Sequence, residues 1–323
     1  MTEPDSTFAN AAELLGRITE QLGTQLGHLR LYGHRPRKQE QEVTPPMNIT
    51  GRAAPAPAEP APVGIAPARP ALAGTAPTAP TLVAVGHGSR DPRARATLNR
   101  LLDRVRELRP GLDVRLAHIE LNTPLLDTTL AGLAVEGRDA VLVPLLFAPG
   151  HHVTHDLPAA LAAEPALRAR VAEPLGAHPL LVEALADRLA QAGWDTEDGT
   201  SAGTGVVLAS AGSRDPRSGA EIRRIAARLG ERLGGVPVVP AYTSAAAPTV
   251  PEAVRALAAR GRHRVAVASC FTAPGLFATR AAAHAPWIAA APLGAHPALA
   301  RLVLHRYDAA LRATTREREL ATV

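Results

Sequence analysis

From Thr81 onward the chain alternates short, uniformly apolar runs with longer stretches in which apolar positions recur every three or four residues. The runs are "TLVAVG" (81 to 86), "DVRLAHI" (113 to 119), "DAVLVPLLF" (139 to 147) and "VAEPLG" (171 to 176), each followed by an amphipathic segment. Strands that are apolar on both faces and separated by helical patterns predict a parallel sheet covered by helices on each side. The series then begins again with "GVVLASAG" (205 to 212), "VPVVPAY" (236 to 242), "HRVAVAS" (263 to 269) and "WIAAAPLG" (287 to 294). The expected fold is therefore α/β, with two tandem Rossmann-like domains, each a four-stranded parallel sheet flanked by helices.

Upstream the pattern changes. Leu14, Leu15, Ile18, Leu22 and Leu26 fall at helical spacing, which predicts a short amphipathic helix within 7 to 31. Residues 45 to 80 are rich in Pro and Ala, a composition that forms no core and predicts a semi-extended linker. The polar, Gly-rich "WDTEDGTSAGTG" (194 to 205) marks a joint. The organisation expected is an extension (1 to 44), the linker (45 to 80), a first domain (81 to 195), a second (205 to 313) and a tail (314 to 323).

The second series repeats letters as well as pattern. "GSRDP" stands at 88 and 212, "APG" at 148 and 273, and "LGAHP" at 175 and 293, offsets of 124, 125 and 118 residues that describe a duplication with small insertions and deletions. In doubly wound folds ligands sit beyond the carboxyl ends of the strands, so chemistry is sought there. Three residues of the first copy occupy such positions: His87 after the first strand, Glu120 in "HIELNTP" after the second, and His152 in "APGHHVTHDLP" after the third. Two imidazoles and a carboxylate on one rim suit a borderline divalent transition metal with coordination positions left open.

Taken singly each residue has a plainer reading. A histidine between glycines can cap a strand-to-helix turn, and a loop glutamate is usually solvated. Comparison of the copies changes the weighting, because Ala211 falls opposite His87, Ser244 opposite Glu120 and Phe277 opposite His152. The three polar groups vanish together while Gly88, Ser89, Arg90, Asp91, Pro92, Pro149 and Gly150 recur. "GSRDP" therefore reads as loop and helix N-cap architecture, and the lost three as a site. His178 and His296 of "LGAHP" persist in both copies, which points to a structural role at a helix start.

Composition removes several alternatives. Cys270 is the only cysteine, so no intrachain disulfide or Cys-rich metal site can form. Lys38 is the only lysine, which excludes a Walker-type phosphate loop and a Schiff-base lysine from the folded part. A net charge of +5 with interspersed arginines, and nine aromatic residues in 323, argue against nucleic acid. No apolar stretch reads as a membrane span or secretory signal, so the cytoplasm is the expected compartment.

Together, "GHGSRDP", "HIELNTP", "VPLLFAPGHHVTHDLP" and "PLGAHPLLVEAL" resemble the sirohydrochlorin chelatases, class II tetrapyrrole chelatases that insert iron or cobalt into sirohydrochlorin. The resemblance covers 81 to about 192 and, in degenerate form, 205 to about 312. It implies that His87 and His152 bind the metal and that Glu120 abstracts protons or handles the metal. Positions 151 and 155 depart from the family pattern, so which of His151, His152 and His155 is the ligand stays open. Ser89, Arg90, Arg93, His151 and His155 are candidate contacts for the carboxylate-rich macrocycle, for which guanidinium groups and helix-start N–H groups are suitable anchors.

The function implied is insertion of Fe2+ or Co2+, with Ni2+ a third possibility, into sirohydrochlorin for siroheme or cobalamin synthesis, with no permanently bound cofactor. The alternative is a non-catalytic metal or tetrapyrrole carrier. A histidine phosphatase using His87 as nucleophile is disfavoured, since Gly86 stands where an Arg is wanted. With one half-site stripped of its ligands, a single chain is expected to mimic a homodimer with one site at the interface between the halves.

Overall fold

A computed structural model describes residues 79–195, 197–198 and 201–321, with side chains considered up to residue 313. The helix expected within 7 to 31 and all but the last two residues of the Pro/Ala-rich stretch lie outside them. The first half contains β1 (Thr81–Gly86), α1 (Pro92–Leu108), β2 (Val114–His118), α2 (Leu126–Val135), β3 (Ala140–Pro144), a π-helical turn (His152–Asp156), α3 (Leu157–Ala162), β4 (Ala169–Val171) and α4 (Pro179–Gln191). The second contains β5 (Thr204–Ser210), α5 (Pro216–Arg232), β6 (Val238–Tyr242), α6 (Val250–Ala258), β7 (Arg264–Ser269), α7 (Leu276–Ala282) and α8 (Pro297–Ala321). α8 continues into the segment set apart as a tail.

All strand pairs are parallel, in the orders β2-β1-β3-β4 and β6-β5-β7. The central strands β1 and β5 are buried along their whole length, as strands covered by helices on both faces must be. The second sheet has three strands, not the four expected. Its candidate fourth, 287 to 294, is reduced to one bridge between Val267 and Ala289, because Pro286 and Pro292 flank it and cannot donate to a ladder. In the first sheet the fourth strand also lies upstream of its expected place, at 169 to 171, since Pro174 interrupts "VAEPLG".

Alternate residues of each central strand face different cores. Leu82 and Ala84 of β1, and Val206 and Leu208 of β5, enter a single core shared by the two halves, filled by α1, α4, α5 and α8. Val83 and Val85 face a separate cluster under α2 and α3, and Val207 and Ala209 face another under α6 and α7. The halves thus share an interior, and the described residues form one compact unit.

Reciprocal arginines tie the halves together across this interior. Arg188 on α4 donates from Nε and Nη2 to the carbonyl of Leu293 at 3.1 and 2.6 Å, and Arg306 on α8 donates from Nη2 to the carbonyl of Leu175 at 2.8 Å. Each arginine thereby holds the "LGAHP" turn of the other half. Burial pushes both guanidinium groups below their ordinary pKa. The Leu175–Gly176 N–H groups in turn donate to the carbonyls of Leu146 and Phe147, on the loop that leads to His152.

The two "LGAHP" histidines do cap helices, as expected. His178 Nδ1 accepts from the Leu180 N–H and His296 Nδ1 from the Ala298 N–H, each at 3.2 Å. Such a cap requires a neutral acceptor nitrogen, and burial, aided by His305, lowers the pKa of His178 to about 4 from an ordinary 6.5. The folded chain therefore binds fewer protons here than the unfolded chain between these values. The stability that His178 contributes is complete above pH 6.5 and declines as pH falls toward 4. His178→Ala is expected to cost about 1 kcal/mol at pH 7.5 in chemical denaturation. His178→Asn keeps a cap and should flatten the loss of stability between pH 6.5 and 4.

Candidate metal and macrocycle site

The registers Gly86↔His118 and Val85↔Pro144 bring the carboxyl ends of β1, β2 and β3 to one rim. Beyond β1 the chain turns through Gly88 at φ 112°, and the Glu120 N–H donates to the His87 carbonyl at 3.0 Å. A side chain at 88 is prohibited: its Cβ would lie 1.9 Å from the Glu120 carbonyl oxygen. This close approach sets His87 beside Glu120, with Nδ1 3.5 Å from Oε1.

The "GSRDP" turn then ends in a capped helix. Asp91 accepts from the Arg93 N–H at 2.9 Å, Pro92 occupies the first turn, and the Ser89 hydroxyl accepts from the Asp91 N–H. Arg93 is bound back to Asp91 at 2.7 Å, which holds the carboxyl below its usual range. Of the two candidate arginine anchors, Arg93 is thus committed to the cap, whereas Arg90 is exposed and without an ion pair among the described residues.

His152 opens the π-helical turn after β3. Its ring stands edge-on to that of His87, with centroids 4.6 Å apart and planes at 89°. His152 Nδ1 lies 2.6 Å from Asp156 Oδ2, an i, i+4 pair, while the other oxygen of Asp156 is 3.4 Å from His151 Nε2. His151 and His155 stack on each other at 4.6 Å, and His155 Nδ1 is bonded to the Thr154 hydroxyl at 2.8 Å. The structure therefore separates the three histidines of "HHVTH": His152 faces His87, and the other two form a pair of their own. The pKa of His87 is lowered, first by burial and then by the neighbouring His152, with Glu120 opposing; a neutral imidazole with a free lone pair is favoured.

Asp156 and Asn122 were not singled out from the sequence. Asn122 Oδ1 accepts the Ser89 N–H at 2.7 Å and fastens the loop after β2 to the turn after β1. Both could have been found by extending the comparison of copies, because Ala246 replaces Asn122 and Ala281 replaces Asp156. Among the described residues no group of three or more His, Cys, Asp or Glu side chains is arranged to hold a metal. What the rim offers is two imidazoles, each with its Nδ1 toward a carboxylate.

The second half preserves the backbone of this rim without its chemistry. The Ser244 N–H donates to the Ala211 carbonyl at 2.9 Å, Gly212 has φ 95°, and Asp215 caps α5 through the Arg217 N–H. Peptide bonds 123–124 and 247–248 are both cis, and Leu121 and Ala245 share positive φ. The two rims meet: a Cβ on Gly150 would lie 3.6 Å from the Ser213 hydroxyl, and one on Gly275 3.2 Å from the Ser89 hydroxyl.

The CbiX family model matches residues 81–192 and 205–310. A sirohydrochlorin cobaltochelatase of Priestia megaterium is 25% identical over 206 residues, covering 61% of this chain and 65% of the relative. A sirohydrochlorin ferrochelatase of Bacillus subtilis strain 168 is 26% identical over 176 residues, covering 53% of this chain and 66% of the relative. The chain thus spans just under two thirds of the length of either. The solved structure of SirB from Bacillus subtilis with Fe3+ superposes with a TM-score of 0.57 at 23% identity, covering 70% of this chain and 93% of that one.

Gly88→Ala should destabilise the fold by about 2 kcal/mol or more, as strain from a Cβ in a positive-φ, closely approached turn. Gly212→Ala, whose Cβ would lie 2.0 Å from the Ser244 carbonyl oxygen, should cost a similar amount. Thermal melts of both variants would check the equivalence of the two turns.

Proposed function

We propose, since the chain belongs to the CbiX family, that it is a sirohydrochlorin chelatase, a lyase that inserts Fe2+ or Co2+ into sirohydrochlorin and releases the two pyrrole protons. The observation that carries this reading is the perpendicular pair His87 and His152, 4.6 Å apart between ring centres, with each Nδ1 directed at a carboxylate. In this reading a proton on each Nδ1 faces Glu120 or Asp156, which leaves both Nε2 lone pairs for the metal substrate. Two neutral ligands hold a divalent cation without cancelling its charge, and the open coordination positions let it pass to the macrocycle.

Insertion demands that the two N–H bonds break and two protons leave as the four ring nitrogens bind the metal. Glu120, half exposed and beside His87, is the acceptor we assign, with solvent as the sink. Asp156 acts through His152 as a positioning residue. Relatives named for cobalt and for iron support both metals; the products would be siroheme with iron and a cobalt chelate on the way to cobalamin. One chain supplies both walls of the site, in the manner of a homodimer, and the lone, buried Cys270 suits a reducing cytoplasm.

Purified protein given sirohydrochlorin and Fe2+, Co2+ or Ni2+ should shift the visible spectrum faster than the uncatalysed reaction and turn over more than once per chain. A stoichiometric change without turnover, or no acceleration with any metal, would contradict the proposal. His87→Ala and His152→Ala should each abolish turnover. Asp156→Asn should weaken Co2+ binding about 10- to 100-fold, with partial recovery in Asp156→Glu, read by titrating the metal-free protein.

A further inference from the structure

Six large apolar side chains are markedly exposed among the described residues: Leu108, Leu121, Leu125, Val135, Leu276 and Phe277. Four of the six lie on two segments that reach the Gly88–Ser89 turn directly after His87. Leu121 and Leu125 belong to the loop after β2, and a Cβ on Gly88 would lie 3.3 Å from the Leu121 Cβ. Leu276 and Phe277 begin α7, directly after Gly275, whose Cβ would lie 3.2 Å from the Ser89 hydroxyl. The second half thus abuts the turn after His87 at Gly275, and its next two residues are exposed and apolar.

Phe277 is the counterpart of His152. Where His152 has the His87 ring edge-on, Ala211 stands at the position equivalent to His87 in the second copy and offers Phe277 no ring, and Phe277 makes no ring contact among the described residues. It is 38% exposed and Leu276 61%. An exposed aromatic ring without a partner, beside a polar site, offers a face for stacking. The exposed Arg90 guanidinium on the same turn offers a cation for a carboxylate at the edge of whatever stacks there.

We propose that the half without metal ligands supplies the binding wall for the macrocycle, with Phe277 as its stacking residue and Leu276 extending the apolar surface. The occupant is the flat tetrapyrrole with its carboxylate rim, so the inference rests on the chelatase reading. On this account the duplication divided the work: one half holds the metal and the other holds the ring that receives it.

The test is titration of the metal-free, full-length chain with sirohydrochlorin, for the unaltered protein, Phe277→Ala and Phe277→Tyr, with a parallel Co2+ titration in the absence of macrocycle. Phe277→Ala should weaken macrocycle binding about tenfold, Phe277→Tyr should stay close to the unaltered chain, and Co2+ affinity should be the same in all three. Equal Co2+ affinity also shows that the variants are folded at the site. Macrocycle binding by Phe277→Ala at full strength, or a loss of Co2+ affinity in proportion, would overturn the inference alone. Failure of the unaltered chain to bind sirohydrochlorin would overturn the chelatase reading and the inference with it.

Discussion

Each half of this chain is completed by an arginine from the other. Arg306 reaches across to the Leu175 carbonyl, and the turn it holds backs the Leu146–Phe147 segment that leads to His151 and His152. Arg188 makes the mirrored contact to Leu293, whose N–H donates to the Phe271 carbonyl and supports the loop leading to Phe277. Burying a guanidinium is costly, and the cost is met here by charge-assisted hydrogen bonds to carbonyls, worth roughly 1.5–3 kcal/mol each. Among the described residues the Nε of Arg306 finds no partner, and its hydrogen bond to the first half is made through Nη2. Because both arginines sit on helices that line the shared core, the rim around the histidines depends on the second half being folded beneath it.

This dependence explains what the duplication kept and what it let go. Turns that shape the backbone are retained in both copies: Gly88 and Gly212 at positive φ, Asp91 and Asp215 as caps, His178 and His296 as caps of the helices that carry the arginines. Side chains that only serve the rim are retained in one. His87, Glu120, Asn122, His152 and Asp156 have Ala211, Ser244, Ala246, Phe277 and Ala281 opposite them. The asymmetry also extends to the shared interior, where His178 packs on His305 while His296 meets Asp187 at 3.3 Å.

Much of this is legible in the letters. Central strands such as β1 and β5 announce themselves because burial on both faces demands uninterrupted apolar residues, and the copies expose the site because His87, Glu120 and His152 change in concert. The edge strands are harder to read: "VAEPLG" and "WIAAAPLG" look like strands in composition, but the first strand lies upstream at 169–171 and takes only Val171 of its run, and the second is reduced to a single bridge. The arginine contacts join residues 105 and 131 positions apart, and no local pattern distinguishes Arg188 or Arg306 from any other helical arginine. Sequence spacing cannot show that the Arg93 guanidinium folds back two residues onto its own cap. Which histidine of "HHVTH" meets His87 required the π-helical turn, whose extra residue per turn is invisible to a 3.6-residue pattern.

The central claim is that a two-fold backbone carries a one-sided metal site. Crystals of the full chain soaked in Co2+ and measured at the cobalt absorption edge test it most directly. The account predicts one anomalous peak per chain, within bonding distance of Nε2 of His87 and Nε2 of His152. A peak beside Ala211 and Phe277, or one bound by His151 and His155 with none at His87, would contradict it.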